Sequence, residues 1–406
     1  MRVTGKTSLK FVSICFVGLL TLALIQGCAN PKPIGFDNRT LKLQIEVASI
    51  DRDRILHSAD SYMLETPITV TAASCERSLG GVHDFYSEGD YWWPNLDNPD
   101  APYEKRDGLT NPDNFTDHRK AMRRMSIQVA NLAAAYKLSG EQKYADHAAE
   151  HLKAWFVSED SKMNPHMRFA QAITNVVPGR GVGLIDGIHL VEPARAVSII
   201  EDSGALTSTE LNAVKDWYAD FLTWMTTHEY GIDERDRKNN HGTCWVMQAA
   251  EFASLTGNEQ VLAYCRERYK TVLLPNQMSS DGGFFMELAR TKPYGYSLFN
   301  IDAMAMVCHI LSTPADNLWD YSLDDGRNMT LGMTFIVPFI ADKSTWPLEP
   351  DIMYWDQWPV RHPSLLFAGM AYKNQSYLSL WKTLKPLPET EEGLRNFPIR
   401  EPLLWL

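Results

Sequence analysis

Two short stretches of this sequence carry residue types suited to proton transfer. The first, Lys238-Asn239-Asn240-His241-Gly242-Thr243-Cys244-Trp245, runs straight into an apolar helical pattern at Trp245, Ala249, Phe252 and Leu255. A histidine at a helix start lies among unpaired backbone N–H groups, at the positive end of the helix dipole. That setting favours neutral imidazole, the form able to accept a proton. The second stretch, Asp281 to Asn300, places Arg290 six residues before Tyr296, where another apolar helix opens. Tyrosine ordinarily titrates near ~10 and is a weak base unless neighbouring positive charge favours its phenolate. Taken singly, each stretch also has a plain structural reading. Asn240 would cap a helix, Tyr294 and Tyr296 would be loop aromatics, and Arg290 a surface ion-pair partner.

Other motifs point away from metals and nucleotides. His147-Ala148-Ala149-Glu150-His151 matches the H-x-x-E-H zinc signature, but it sits in an ordinary hairpin helix and no third ligand follows. Solvated or packed histidines are expected there. Gly179-Arg180-Gly181-Val182-Gly183 superficially resembles a nucleotide-binding loop, yet no strand precedes it and the Gly-x-Gly-x-x-Gly spacing is not met. No metal and no cofactor is expected. Arg180, in such an anion-friendly loop, suits a carboxylate.

The elements that must position these residues are helical. A helix is expected from Leu41 to Met63, followed by a long polar and aromatic stretch from Ser74 to Asp117. So long a loop is uncommon unless it forms a lid or binding wall. Its Asp90-Tyr91-Trp92-Trp93-Pro94-Asn95 segment offers ring faces and hydrogen-bonding edges to a sugar, or pins the loop onto the core. From Arg119 a helical period takes over, with Met122, Met125, Val129, Leu132 and Tyr136 on one face, and a second helix carries Tyr144, Ala148, Leu152 and Trp155. The box Thr207-x-x-Glu210 opens a further helix. Turn glycines Gly140, Gly204 and Gly257 fall 64 and 53 residues apart, about one helical hairpin per interval. Later helices are expected over Leu298–Leu311, Thr330–Ile340 and Leu365–Leu384, and strand patterns are scarce. The fold class is all-α, an (α/α)n toroid or incomplete barrel of helical hairpins. Near its end, Asp351–Trp358 brings Tyr354 and Trp358 either to close a groove or to pack the last hairpin.

Apolar residues make up 45% of the 406, enough for a large core, and the formal net charge is −11. Nucleic acid and anionic membrane surfaces are therefore poor partners. An acidic polymer remains a possible partner if the few cations line one groove. Arg2, Lys6 and Lys10 precede an apolar stretch, Phe11–Ile25, too short to span a bilayer comfortably. The expectation is a lipoprotein signal peptide over residues 1–27 ending in a lipobox, Ile25-Gln26-Gly27-Cys28, with Cys28 lipidated. A tether (28–40) and one toroid domain (41–406) follow. Ala29 after the cysteine fits export across the inner membrane and a periplasmic or outer-membrane location in a Gram-negative bacterium. Cys75, Cys244, Cys265 and Cys308 show no C-x-x-C spacing, which leaves room for one disulfide but no framework.

Together, Asn240-His241, Arg290 and Tyr296 on an all-helical secreted chain resemble the active-site set of the alginate lyase families of polysaccharide lyases. Residues 164–173, Gly179–Asp186 and Glu287-Leu288-Ala289-Arg290 strengthen the likeness, which covers about Asp90 to Asn300. The arginine-to-tyrosine interval of six is shorter than in the best-known members, and Tyr294 competes with Tyr296 for the tyrosine's place. The resemblance implies β-elimination on a polyuronate: loss of the C5 proton and expulsion of the C4 glycosidic oxygen. Asn240, helped by His241 or Arg290, would neutralise the sugar carboxylate. Tyr296 would act as base and acid on mannuronate, and His241 as base where proton and leaving group lie on opposite faces, as for guluronate. Gln171, Asn175, Arg180, Trp92 and Tyr354 would contact substrate. The implied partner is alginate or a related acidic polysaccharide, with the membrane touched only through the lipid. The rival readings are a glucuronan lyase using the same residues and a non-catalytic glycan-binding lipoprotein. A toroidal glycoside hydrolase would need two opposed carboxylates, for which Asp281 and Glu287 are a weak pair.

Overall fold

A computed structural model describes residues 38–98 and 101–406; the expected signal peptide and the Cys28 lipidation site lie outside the described residues. The apolar periods emerge as helices. The first group is α1 (Asn38–Tyr62), α2 (Asp117–Ser139), α3 (Gln142–Phe156), α4 (Val191–Ile200), α5 (Ser208–Thr227), α6 (Glu229–Arg235), α7 (Asn240–Thr256) and α8 (Glu259–Arg268). There follow the short α9 (Leu274–Gln277) and α10 (Phe285–Leu288), then α11 (Pro293–Leu311), α12 (Met329–Ala341), α13 (Pro363–Ala371), α14 (Gln375–Thr383) and α15 (Glu391–Arg395).

Local chemistry sets the helix ends. Gly140, Gly204 and Gly257 take φ of +73°, +76° and +70°, the left-handed turn that closes a helix. Thr207 and Glu210 make both bonds of a capping box at the head of α5. Two boundaries differ from expectation. The single helix expected over Leu365–Leu384 is two, α13 and α14, because Lys373 takes a φ of +54° and Asn374 caps the second. Helix α11 begins at Pro293, five residues early, because Asp351 accepts the Tyr294 and Gly295 N–H groups at 2.9 and 2.8 Å. Tyr296 therefore lies inside the first turn.

Helices α2, α4, α7, α11 and α13 touch in succession as an inner layer. Outside them, α1 and α3 pack on α2, α5 and α8 on α7, α12 on α11, and α14 on α13. This is the (α/α) toroid expected from the sequence. An inner helix has neighbours on every side, so α7 is buried at every position from Gly242 to Ala253 and not along one stripe. The C-terminal segment closes the ring. Glu401 accepts from Arg54 of α1 at 2.8 and 2.7 Å and from Asn131 of α2 at 3.0 Å. Glu192 of α4 accepts the backbone N–H groups of Arg400 and Glu401 at 2.7 and 2.8 Å. Removing one member of such a buried set strands its partner's charge, so these residues fix where the tail lies.

Four short strands shape the polar stretch. β1 (Tyr86–Glu88) pairs in parallel with β4 (Phe169–Ala172), and β2 (Trp92–Trp93) pairs antiparallel with β3 (Glu104–Lys105). The second pair makes a hairpin rooted where Arg119 of α2 grips Asp90 at 2.5 Å and the Glu88 carbonyl at 2.8 Å. Cys75, Cys244, Cys265 and Cys308 all remain free thiols. Among the described residues no helix is long and apolar enough to cross a membrane.

Candidate active site

The N-terminal turns of α7 and α11 open on one cleft of about 320 Å³. At the head of α7, Asn239 is the cap residue, but its side chain makes no capping bond. Asn240 instead donates its backbone N–H and its Nδ2 to the two oxygens of Glu287, each at 2.7 Å. Glu287, on α10, is fully buried; burial pushes its carboxyl upward against the pull of the Asn240 bonds. The amide is thus fixed by one edge, and its oxygen has no partner among the described residues. His241 is oriented in the same manner. Its Nδ1 lies 2.7 Å from Oε1 of the fully buried Glu234. In neutral imidazole a carboxylate there accepts the Nδ1 proton and leaves Nε2 bare as an acceptor.

Across the cleft, the Tyr296 hydroxyl lies 2.5 Å from that of Tyr91 and 3.4 Å from the Arg290 guanidinium, whose carbon stands 4.5 Å over the Tyr296 ring. Asp107 fixes Arg290 with bonds of 3.0 and 3.2 Å. Burial opposes the guanidinium's charge, but the charges of Tyr296 and Asp107 outweigh it and raise the Arg290 pKa. Burial also holds the Tyr91 phenol well above its usual range, aided by the charges of Tyr296 and Glu392. Tyr91 therefore keeps its proton, and either hydroxyl of the pair can donate to the other until Tyr296 is ionised, when Tyr91 is the donor. Lys292 adds positive charge beneath both, with its ammonium 5.3 Å from each ring.

A third group supplies a cation without a carboxylate. Arg180 donates to the Gln171 carbonyl at 2.8 Å and to Gln171 Oε1 at 3.2 Å, and lies 5.8 Å from the Trp92 ring. Among the described residues it makes no ion pair. Close packing explains two glycines here. A Cβ on Gly179 would lie 2.0 Å from the Arg168 carbonyl, and one on Gly89 would lie 2.7 Å from Trp92 and 2.8 Å from Arg180. Lys105, Arg180, Arg290 and Arg395 line the cleft against one acid, Asp90. Asp107 pairs with Lys105 and Arg290, and Asp90 with Arg395, which leaves Arg180 as the cation of the four without an ion pair among the described residues.

Residues 69–346 match the model of the family described as alginate lyase. The chain belongs to that family. It is 30% identical to an alginate lyase from Bacteroides ovatus, with a TM-score of 0.78 over 90% of this chain and 97% of that one. Alginate lyase A1-III from Sphingomonas species A1 shares the fold at 13% identity, with a TM-score of 0.56 over 86% of this chain and 94% of that one. Histidine-to-alanine and tyrosine-to-phenylalanine variants of A1-III have been solved in complex with a tetrasaccharide. No curated protein sequence matches the chain. The molecule is accordingly a polysaccharide lyase.

Of the residues this lyase was expected to use, Asn240, His241, Arg290, Tyr296, Gln171, Arg180 and Trp92 line the one cleft. Asn175 does not: it is exposed on a turn between bridged Ile173 and Val177, with a φ of +62°. Tyr354 lines two adjoining spaces instead. Tyr294 is fully buried, and its hydroxyl donates to the Phe339 carbonyl at 3.0 Å, so of the two tyrosines only Tyr296 reaches the cleft. The paired tryptophans divide: Trp92 lines the cleft, while Trp93 donates to the Leu109 carbonyl at 3.0 Å within the same stretch. Asp281 accepts from Ser279 and Gly283 in a local turn and Glu287 serves Asn240, so they are not the opposed pair of a hydrolase. Sequence reasoning missed Tyr91, Lys292, Glu234 and Asp107. Tyr91 stood beside two tryptophans that took its signal, Glu234 and Asp107 act through partners seven and 183 residues away, and Lys292, four residues before Tyr296, belongs to no motif.

Proposed function

We propose that this lyase cleaves alginate by β-elimination, with Tyr296 at the centre of the chemistry. The supporting observation is the Tyr296 hydroxyl in the cleft, 2.5 Å from the Tyr91 hydroxyl and flanked by Arg290, while Asn240 and His241 line the same space. A uronate carboxylate held by Asn240, with His241 or Arg290 beside it, has its charge neutralised, so the C5–H electrons can flow toward it as an enolate-like state. The C4–O bond then breaks, a C4=C5 double bond forms, and the departing oxygen takes a proton. On mannuronate, proton and leaving group share a face; Tyr296 as phenolate takes the first and returns it to the second. Arg290 and Lys292 offset the phenolate's charge during that exchange. On guluronate the two lie on opposite faces, and His241 Nε2 takes the C5 proton while Tyr296 protonates the oxygen. Gln171, Arg180 and Trp92 hold a neighbouring sugar.

The proposal extends to the rest of the chain: residues 1–27 as a lipoprotein signal, Cys28 as the lipidated residue on a short tether, and 41–406 as one lyase domain facing the periplasm or the outer membrane.

The test is to incubate protein beginning at Cys28 with mannuronan, guluronan, glucuronan and pectate separately, following the ultraviolet absorbance of unsaturated uronate. Absorbance rising on either alginate block is expected. A rise on glucuronan alone would move the substrate and keep the mechanism, and silence on all four would leave a glycan-binding protein.

A further inference from the structure

The base of the β2–β3 hairpin walls a second space, a chamber of about 250 Å³ that shares Asp90 and Arg395 with the catalytic cleft. Four cations line it: Arg119, Lys120, Arg123 and Arg395. Two of them are neutralised from within. Arg119 lies 2.5 Å from Asp90 and 3.3 Å from Asp186, and Arg395 lies 2.6 Å from Asp90 and 3.2 Å from Glu392. The other two are not. Lys120 is exposed and makes no ion pair among the described residues. Arg123 is only 6% exposed, yet its one ion-pair partner among the described residues is Glu391, whose side chain is 71% exposed at the start of α15. Burial and repulsion from Arg400, Arg395 and Arg119 bring the Arg123 pKa down to about 10. A second feature points the same way: the Thr110 hydroxyl, on the chamber wall, is buried with no hydrogen-bond partner. Tyr354 adds a ring from a backbone held at a φ of +64°.

We propose that this chamber is a distal uronate subsite, in which a carboxylate of the bound polyuronate displaces Glu391 from Arg123 and takes Lys120 as a second partner. Glu391 holds the place of the ligand: a solvated carboxylate on a short helix costs little to swing away, whereas an unpaired buried guanidinium is expensive. The inference rests on the polyuronate reading of the cleft. It adds a length requirement, since only a chain long enough to occupy both spaces gains the extra pair.

Calorimetry on Tyr296→Phe protein, with a mannuronate hexasaccharide and a mannuronate disaccharide as probes, tests it. In that background Lys120→Gln should weaken hexasaccharide binding by about two- to fivefold and Glu391→Gln should tighten it by about as much. Arg123→Gln should weaken it by about tenfold or more. The disaccharide should bind all of them alike, and the hexasaccharide differences should shrink as salt rises. Lys120 and Glu391 are solvent-facing, so those two variants report even where the Arg123 variant does not fold. Unchanged hexasaccharide affinity in both, or equal effects on the two probes, would overturn the subsite. Failure of the unmutated enzyme to cleave any polyuronate would count against the catalytic reading alone, because the binding comparison does not need turnover.

Discussion

The head of α7 and the middle of α3 both present histidines that a motif search would select, and the molecule treats them in opposite ways. His241 has one ring nitrogen fixed by the buried Glu234 and the other facing a charged cleft. His147 spends its Nε2 on the backbone carbonyls of Tyr62 and Glu65, at 2.9 and 3.0 Å. His151, stacked edge-on 5.0 Å away, is wholly buried with neither nitrogen partnered. No third ligand joins them; among the described residues no group of three metal-binding side chains exists. A histidine becomes chemically useful when a neighbour fixes one nitrogen and space is left for the other. The H-x-x-E-H spacing satisfies the first need of a zinc site, a shared helix face, and fails the second.

The largest expected effect separates the cleft from everything packed behind it. Tyr296→Phe should cost on the order of 10³-fold or more in turnover on every cleaved block, with thermal unfolding unchanged. Tyr294→Phe, two residues away, should keep its rate and lose about 1 kcal/mol of stability with its bond to the Phe339 carbonyl. If the two results were reversed, the assignment within α11 would be reversed with them. Next in size, His241→Ala should lower the guluronan rate by about 10²- to 10⁴-fold and the mannuronan rate by less. Equal losses on both blocks would make His241 a carboxylate partner and not a base. His151→Leu, by contrast, should leave both rates intact.

These contrasts also show which parts were legible in the chain. The toroid was, because each inner helix still repeats its apolar residues and each hairpin ends on a glycine or cap that has no other use. So was the gathering of Asn240, His241, Arg290 and Tyr296 at one cleft, because their order along the chain carries the family likeness. The α13–α14 break was not, since Lys373 is an ordinary exposed residue that takes its positive φ in the turn ending α13. Tyr91, Glu234 and Asp107 were not legible either. Their function lies in a pairing across 205, 7 and 183 residues of chain, and nothing local marks it. Lys292 reads as a plain surface lysine until three tyrosine rings are found 5.3 Å from its ammonium.

Acidity sharpens the comparison from the other side. Burial, with the charges of His147 and Arg124, brings His151 down from 6.5 to about 4. Between those values the unfolded chain binds a proton that the folded chain refuses. Stability contributed by neutral His151 is therefore whole above about 6.5 and is lost as pH falls toward about 4, by up to ~3 kcal/mol. Chemical denaturation at about pH 7.5 and about pH 4.5, which spans most of that interval, should show most of the loss in the native protein. It should be smaller in His151→Leu, and an identical slope in the two proteins would place the acid sensitivity elsewhere.

The smallest effect probes how the cleft's tyrosine is served. Tyr91→Phe keeps the ring that packs over Lys292 and removes only the hydroxyl 2.5 Å from Tyr296. One donor to a developing phenolate is worth about 1.5 kcal/mol, so turnover should fall by about tenfold. KM should hold, because the sugar contacts proposed for that wall are Trp92 and Arg180, not Tyr91. A rise in KM at constant kcat would instead make Tyr91 part of the sugar-binding surface, and the hairpin would then serve binding alone. A fall in kcat alone makes the hairpin part of the chemistry. That outcome would explain why a segment so poor in regular structure is anchored by the buried Arg119–Asp90 pair at its root.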